Sequence, residues 1–223
     1  MYTLFGFKRS GSASVECALE LTGAPYRIVD AASWETNDAL AELERVNPLK
    51  QIPTLQLPGG EILSESAAIL MHLGIAFPDS ALLPGSQIER DLLLRGLVYI
   101  AANCYPCITI LDYPERFTTA TDDASLAAVR NGTNARLHHH WDIFADLFPV
   151  EDGRFIGGDR PGALDLYAAV VSRWAGSRQH LEASRPTLAA LLERIESHPA
   201  VAPVWARHWP TPAPTPTGPD AAQ

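Results

Sequence analysis

The pattern of apolar and polar positions changes character about a third of the way along the chain. Over the first 80 residues, short apolar runs alternate with helical patterns. Residues 2–7 form an apolar run of the kind a buried strand makes. Ser10-Gly11-Ser12 reads as a loop feeding a helix, in which Val15, Ala18, Leu19 and Thr22 recur at helical spacing before a stop at Gly23. Residues 26–29 predict a second strand, and 38–46 a short charged helix that ends before Pro48. Residues 53–57 and 61–63 flank Pro58-Gly59-Gly60 and predict a hairpin. A third helix is predicted over 64–76, with Ile69, Leu73 and Ala76 on one stripe. The order β-α-β-α-β-β-α opens with a parallel crossover unit and closes with an antiparallel hairpin, which gives a small mixed sheet.

Residues 78–86 contain Pro-Asp and Pro-Gly and read as a linker between domains. Beyond them every pattern is helical. Leu137, Trp141, Phe144 and Phe148 follow i, i+4, i+7, i+11, while Leu188, Leu191, Leu192 and Ile195 follow i, i+3, i+4, i+7. A helical bundle is expected from these stripes. From Trp209 the chain runs Pro-Thr-Pro-Ala-Pro-Thr-Pro-Thr-Gly-Pro, an extended polar tail not expected to pack. The expected division is an α/β domain over 1–78, an all-α helical domain over 87–208 and a Pro-rich disordered tail over 209–223. No internal repeat is visible.

Composition narrows the function classes. The 223 residues suffice for one large domain or two small ones, and 47% hydrophobic with 19% charged residues is a globular balance. No apolar run approaches the roughly 18–20 residues of a spanning helix, so no membrane partner is expected. A net charge of −9 without a local basic patch argues against nucleic acid. Three cysteines do not make a disulfide framework, and the opening Met1-Tyr2-Thr3-Leu4 lacks the pattern of a signal peptide. The expected setting is cytoplasmic, with reduced thiols. Of 17 basic residues only Lys8 and Lys50 are lysines, and both fall beside the segments with candidate chemistry.

Three segments stand out. In the first, Asn47 to Leu55, Pro53 opens a strand where it cannot donate to the ladder. If the Ile52–Pro53 bond is cis, the Ile52 N–H and C=O face outward, free to pair with an extended peptide. The second is Ser64-Glu65-Ser66, where a strand gives way to a helix. Backbone donors and the helix dipole near Ser66 suit a carboxylate, and Glu65 suits an ammonium group. A plain helix cap would also explain this pair. The third is Lys8-Arg9-Ser10-Gly11-Ser12, whose hydroxyls at a helix start either cap it or donate to a thiolate.

Taken together in order and spacing, these segments resemble the glutathione transferase superfamily over residues 1 to about 208. Asn47-Pro48 through Gln51-Ile52-Pro53-Thr54-Leu55, Glu65-Ser66 with Ala68-Ile69, and Phe155-Ile156-Gly157-Gly158-Asp159 followed by Asp165 are the matching motifs. The resemblance implies a thioredoxin-like N-terminal domain, an all-α C-terminal bundle and a cis bond before Pro53. It implies that the Ile52 main chain holds the cysteinyl part of glutathione, Glu65 and Ser66 the γ-glutamyl end, and Lys50 and Gln51 the glycyl end. No tyrosine or cysteine stands between Phe5 and Val15, so the resemblance is to serine-type or bacterial-type enzymes, with Ser10 favoured over Ser12 as the activating hydroxyl. Arg9 falls nearest the usual serine position. Tyr99, Asn103, Tyr105 and Pro106 are candidates to line an electrophile pocket against the first bundle helix, with core packing the competing reading for Tyr99. The implied activity is conjugation of glutathione, a co-substrate and not a tightly bound cofactor, to a small hydrophobic electrophile by a homodimer. A glutathione-dependent disulfide reductase or peroxidase and a non-catalytic interaction protein are the alternatives.

Other signals weigh less. Cys104-Tyr105-Pro106-Cys107 has redox-pair spacing but falls in a bundle helix, away from the strand-to-helix junctions where thiol pKa falls. Adjacent helical positions point about 100° apart, so His138-His139-His140 cannot converge on one ion and read as surface histidines; no metal site is expected. Asp165 resembles the family's structural capping acid, with Gly162 where serine or threonine is usual.

Overall fold

The pleat of the first strand, β1 (Tyr2–Gly6), sends Leu4 and Phe5 to opposite faces of the sheet, and each face carries its own core. The computed structural model of the chain describes residues 1–32, 34, 38–151 and 153–210. The strand order among them is β2-β1-β3-β4. β2 (Tyr26–Asp30) runs parallel to β1, with Leu4 opposite Ile28. β3 (Thr54–Gln56) runs antiparallel to β1 with Leu4 opposite Leu55, and β4 (Ile62–Leu63) pairs antiparallel with β3. Helices α1 (Ser12–Thr22) and α3 (Ser66–Ala76) cover the Leu4 face. Helix α2 (Asp38–Val46) covers the other face, where Leu43 meets Phe5, Val29 and Ala31. The third helix starts two residues later than its pattern suggests, because Glu65 takes φ 66° and stands outside it.

The second half is helical throughout: α4 (Gln87–Tyr99), α5 (Tyr105–Asp112), α6 (Asp123–Leu147), α7 (Ala163–Val171), α8 (Ser177–Ser184), α9 (Pro186–Ser197) and α10 (Ala202–His208). Asp122 caps α6 by accepting from the Ser125 N–H at 2.8 Å. The predicted stripes are the core: Leu137, Trp141, Phe144 and Phe148 are buried, as are Leu188, Leu191, Leu192 and Ile195. A π-helical turn over Ile100–Cys104 joins α4 to α5, so residues 87–112 form one 26-residue helical rod. This rod is long and apolar enough to cross a membrane, which the sequence pattern did not predict. Its buried face, including Leu93, Leu97, Ile100 and Cys104, belongs to the common core.

Two expectations need correction. Residues 78–86 are no free linker: Leu82 and Leu83 are buried, and Leu82 O accepts from the Ala163 N–H at 2.8 Å. One apolar core therefore runs from Leu4 and Leu55 through α1 and α3 into the bundle. The chain also still packs at Trp209, whose ring lies 4.5 Å from that of Trp205 and beneath the Arg173 guanidinium at 4.8 Å. The rest of the predicted disordered tail, 211–223, lies outside the described residues.

Candidate functional site

The corner before β3 is built by one buried side chain. Asn47 donates from Nδ2 to Gln51 O at 3.2 Å and to Thr54 Oγ1 at 2.8 Å, and its Oδ1 accepts from the Leu49 N–H at 3.0 Å. Thr54 Oγ1 donates in turn to Gln51 O at 2.8 Å. Between these bonds the Ile52–Pro53 peptide is cis. Replacing Asn47 with alanine leaves buried partners unmade, at about 2–3 kcal/mol. Thermal unfolding of the Asn47→Ala protein should show Tm lower by about 5–10 °C, and an unchanged Tm would refute the bracing role.

A second corner lies at the end of β1. Gly6 is required there, because a Cβ would stand 2.6 Å from Ser12 Oγ. Phe7 N–H donates to Ser12 Oγ at 3.2 Å, and the Ser12 and Ser10 hydroxyls are 2.8 Å apart. Ser10 Oγ also accepts from the Ser12 N–H at 3.2 Å and donates to Phe7 O at 2.7 Å. Ser12 Oγ reaches the same carbonyl at 3.1 Å, so Phe7 O can be satisfied by either hydroxyl.

Both corners and the start of α3 open into one cavity of about 750 Å³. Ser10, Gly11, Ile52, Pro53, Glu65 and Ser66 line its polar end, with Arg9, Lys50 and Gln51 at the rim. Arg9 (φ 61°), Lys50 (φ 54°) and Glu65 (φ 66°) all hold left-handed backbone, which costs a side-chain-bearing residue about 1–2 kcal/mol each. Lys50 forms an ion pair with Glu44 at this rim. Tyr105, Pro106, Ile108, Tyr113, Phe117 and Trp174 line the other, aromatic end. Tyr105 stacks on Tyr167 at 6.2 Å and meets Trp174 edge-on at 5.9 Å. Its hydroxyl sits where a Gly11 Cβ would be, 2.6 Å from that position, and Ser66 Oγ lies 3.5 Å from it. Glycine at 11 thus lets a bundle tyrosine reach the serine loop. Burial pushes the Tyr105 phenol up to about 12, so it is a neutral donor at physiological pH. Tyr167 also lines the cavity, and burial pushes its phenol up.

The structure thus brings Ser10, Lys50, Gln51, Ile52, Pro53, Glu65, Ser66, Tyr105 and Pro106 to one cavity. Three candidates fall elsewhere. Ser12 is 2% exposed and stands behind Ser10. Tyr99 turns to α6, donating to His140 O at 3.0 Å beside Phe144. Asn103 donates to Tyr99 O at 3.1 Å within its own rod. The reason is helical phase: the cavity face of the rod runs through Ala101, Tyr105, Ile108, Thr109 and Asp112, and positions 99 and 103 lie on another side. Gly11, Trp34, Tyr167 and Trp174 were not found from sequence; the last two come from the α7 region, some 60 residues beyond Tyr105, with no local motif to join them.

Cys104 and Cys107 are both buried, and burial pushes both thiols up, which removes the thiolate a redox pair needs. Of the three histidines only His139 is exposed; His138 stacks on His180 at 4.5 Å and His140 faces Tyr99. Among the described residues no group of three metal-ligating side chains converges.

Beneath the serine loop lies a buried carboxylate, Glu16, 3% exposed on α1. Burial alone would push it up, but hydrogen bonds from His208 and Arg207 and the charge of the Arg207 guanidinium outweigh that and hold it below the usual carboxylate range. A depressed folded-state pKa supplies stability above the unfolded value, about 4.3, and loses it as pH falls further. Urea unfolding between pH 5 and 3 should therefore fall more steeply in the parent than in Glu16→Gln; parallel curves would contradict this.

The domain described as "Glutathione S-transferase, N-terminal domain" matches residues 12–74. The uncharacterized GST-like protein YncG of Escherichia coli K12 is 30% identical over 209 residues, covering 93% of this chain and 98% of YncG. This chain belongs to the glutathione S-transferase family. A maleylpyruvate isomerase from Ralstonia is 27% identical over 74% of this chain and 77% of its own length. A sphingomonad glutathione S-transferase solved in complex with glutathione is 27% identical and superposes with a TM-score of 0.69, over 91% of this chain and 96% of that one. The α/β half is accordingly the family's thioredoxin-like domain and the helical half its bundle. Within this glutathione S-transferase fold, Asp165 is fully buried and accepts from Ile156 N at 2.9 Å, Gly157 N at 3.4 Å and Gly162 N at 2.9 Å. A Cβ at Gly162 would lie 3.1 Å from Leu82 O, a tight contact.

Proposed function

We propose that this chain binds glutathione and conjugates its thiolate to small, mostly hydrophobic electrophiles. The observation behind this reading is the meeting of the Ile52–Pro53 corner, the Glu65–Ser66 helix start and the Ser10 hydroxyl in one cavity with an aromatic far end. The Ile52 main chain would hold the cysteinyl residue, Glu65 the α-ammonium, and the start of α3 at Ser66 the α-carboxylate. Lys50 and Gln51 would meet the glycyl carboxylate.

Ser10 would donate to the sulfur. If Ser12 donates to Ser10 Oγ, a chain runs from Phe7 N–H through Ser12 Oγ to Ser10 Oγ, and the Ser10 proton is free to turn from Phe7 O to the thiolate. With an aryl halide the thiolate forms a carbon–sulfur bond, the carbon–halogen bond breaks, and halide leaves. The rings of Tyr105, Trp174 and Phe117 would hold the acceptor beside the sulfur.

Exposed Ile75, Ile88 and Leu92 on α3 and α4 support a homodimer through that face. Calorimetry with glutathione, followed by turnover of an aryl halide, a small disulfide and maleylpyruvate, tests the reading. Heat at millimolar glutathione with aryl-halide turnover is the expected result. Turnover of only the disulfide or only maleylpyruvate would move the chain to reductase or isomerase chemistry, and no heat would remove glutathione altogether. Sedimentation at micromolar concentration should give two chains per particle; one would remove the dimer.

A further inference from the structure

The last residue of α10 reaches back across almost the whole chain to the residue before Ser10. Arg9 N–H donates to His208 Nδ1 at 3.2 Å, and on the far side of the ring His208 Nε2 lies 2.7 Å from Glu16 Oε2. These partners fix the ring's tautomer. Nδ1 must accept, because a backbone N–H faces it, so the proton sits on Nε2 and donates to the carboxylate. Arg207 holds the same carboxylate through its guanidinium, and the His208 ring packs beside Trp209 at 5.5 Å. His208 is 4% exposed, so its imidazole is a fixed strut.

What the strut meets is one of the strained points of the cavity. Arg9 holds φ 61°, a conformation that a side-chain-bearing residue keeps only when its surroundings impose it. Ser10 follows directly. Relaxation of Arg9 would rotate the Ser10 peptide and carry its hydroxyl away from Ser12 and from the cavity. Resting on the glutathione-transferase reading above, we propose that His208 is a positioning residue: by accepting the Arg9 N–H it holds the Arg9–Ser10 turn in the one conformation that presents the Ser10 hydroxyl to the substrate sulfur. The helix that closes the bundle thereby sets the geometry of thiol activation in the other half of the molecule. Neither Ile52 nor Ser66 touches this strut, so it should govern the chemical step and leave glutathione affinity largely intact.

Two substitutions separate the two sides of the ring. Asparagine places its amide oxygen close to the Nδ1 position and can still accept from Arg9, whereas glutamine reaches the Nε2 position and can still donate to Glu16. His208→Gln should lower kcat about tenfold with KM for glutathione changed less than threefold, and the absorbance of bound thiolate should appear about one pH unit higher. His208→Asn should bring kcat back to within about threefold of the parent even where its Tm is the lower of the two. The Arg9 amide should exchange with solvent deuterium faster in His208→Gln than in the parent or His208→Asn, with no ligand present. Equal kcat, thiolate titration and Arg9 exchange in the two variants, or losses that follow Tm alone, would overturn the proposal. If the parent binds no glutathione, the functional reading fails by itself, and the exchange rates still decide whether His208 holds the turn.

Discussion

Replacing Ser10 with alanine is expected to lower conjugation about 10- to 100-fold while leaving glutathione affinity within a fewfold of the parent. A free thiol near pKa 8.5 must shift down by about two units, roughly 2.7 kcal/mol, to be largely ionised near neutral pH. A hydrogen bond to a charged acceptor supplies about 1.5–3 kcal/mol of this, and the start of α1 adds roughly 0.3–2 kcal/mol. Losing the hydroxyl leaves only the helix end, so the titration of bound thiolate should rise by about one to two units. Ser12→Ala makes a useful companion. Ser12 does not reach the cavity but donates to and accepts from the loop, so it should lose stability as well as rate. A Ser10→Ala protein whose thiolate titrates with the parent would exclude Ser10 and direct attention to Tyr105, the other hydroxyl beside Gly11.

Asp165→Ala should be the most destabilising single change. It leaves the N–H groups of Ile156, Gly157 and Gly162 buried without an acceptor, at about 3–5 kcal/mol in total. For a chain of this size that corresponds to a Tm lower by about 10–15 °C. The pH dependence has a definite sign. Burial pushes the Asp165 carboxyl up to about 6, so the folded protein takes up a proton before the unfolded chain does, and this residue favours folding increasingly as pH falls from 7 towards 4. Asp165→Ala should therefore flatten that part of the stability profile. A Tm within 3 °C of the parent would refute the capping role.

Much of this was legible in the sequence because it rests on local rules. The mixed sheet follows from short apolar runs and from the hairpin signal Pro58-Gly59-Gly60, and the bundle from stripes such as Leu188 to Ile195. The polar end of the cavity was legible for the same reason: Ile52-Pro53 and Glu65-Ser66 are contiguous segments with local signatures. The aromatic end was legible only at Tyr105 and Pro106. Tyr99 and Asn103 lie on another side of the long rod, which turns through a π-helical stretch at Ile100–Cys104, and no sequence pattern marks which side faces the cavity. Tyr167 and Trp174 join Tyr105 only through tertiary packing. The connector over 78–86 has the composition of a linker, but Leu82 and Leu83 decide its fate, and two apolar side chains among prolines leave no periodic trace.

That buried connector bears on how substrates enter. With Leu82 and Leu83 sunk in a core common to both halves, the halves cannot swing apart like jaws, because separation would flood that core with water. What can differ at the cleft without opening that core is its exposed lining, Trp34 and Phe117 among it. If the cleft takes an acceptor as proposed, its preference would rest on a few such side chains, which could be exchanged without disturbing the scaffold.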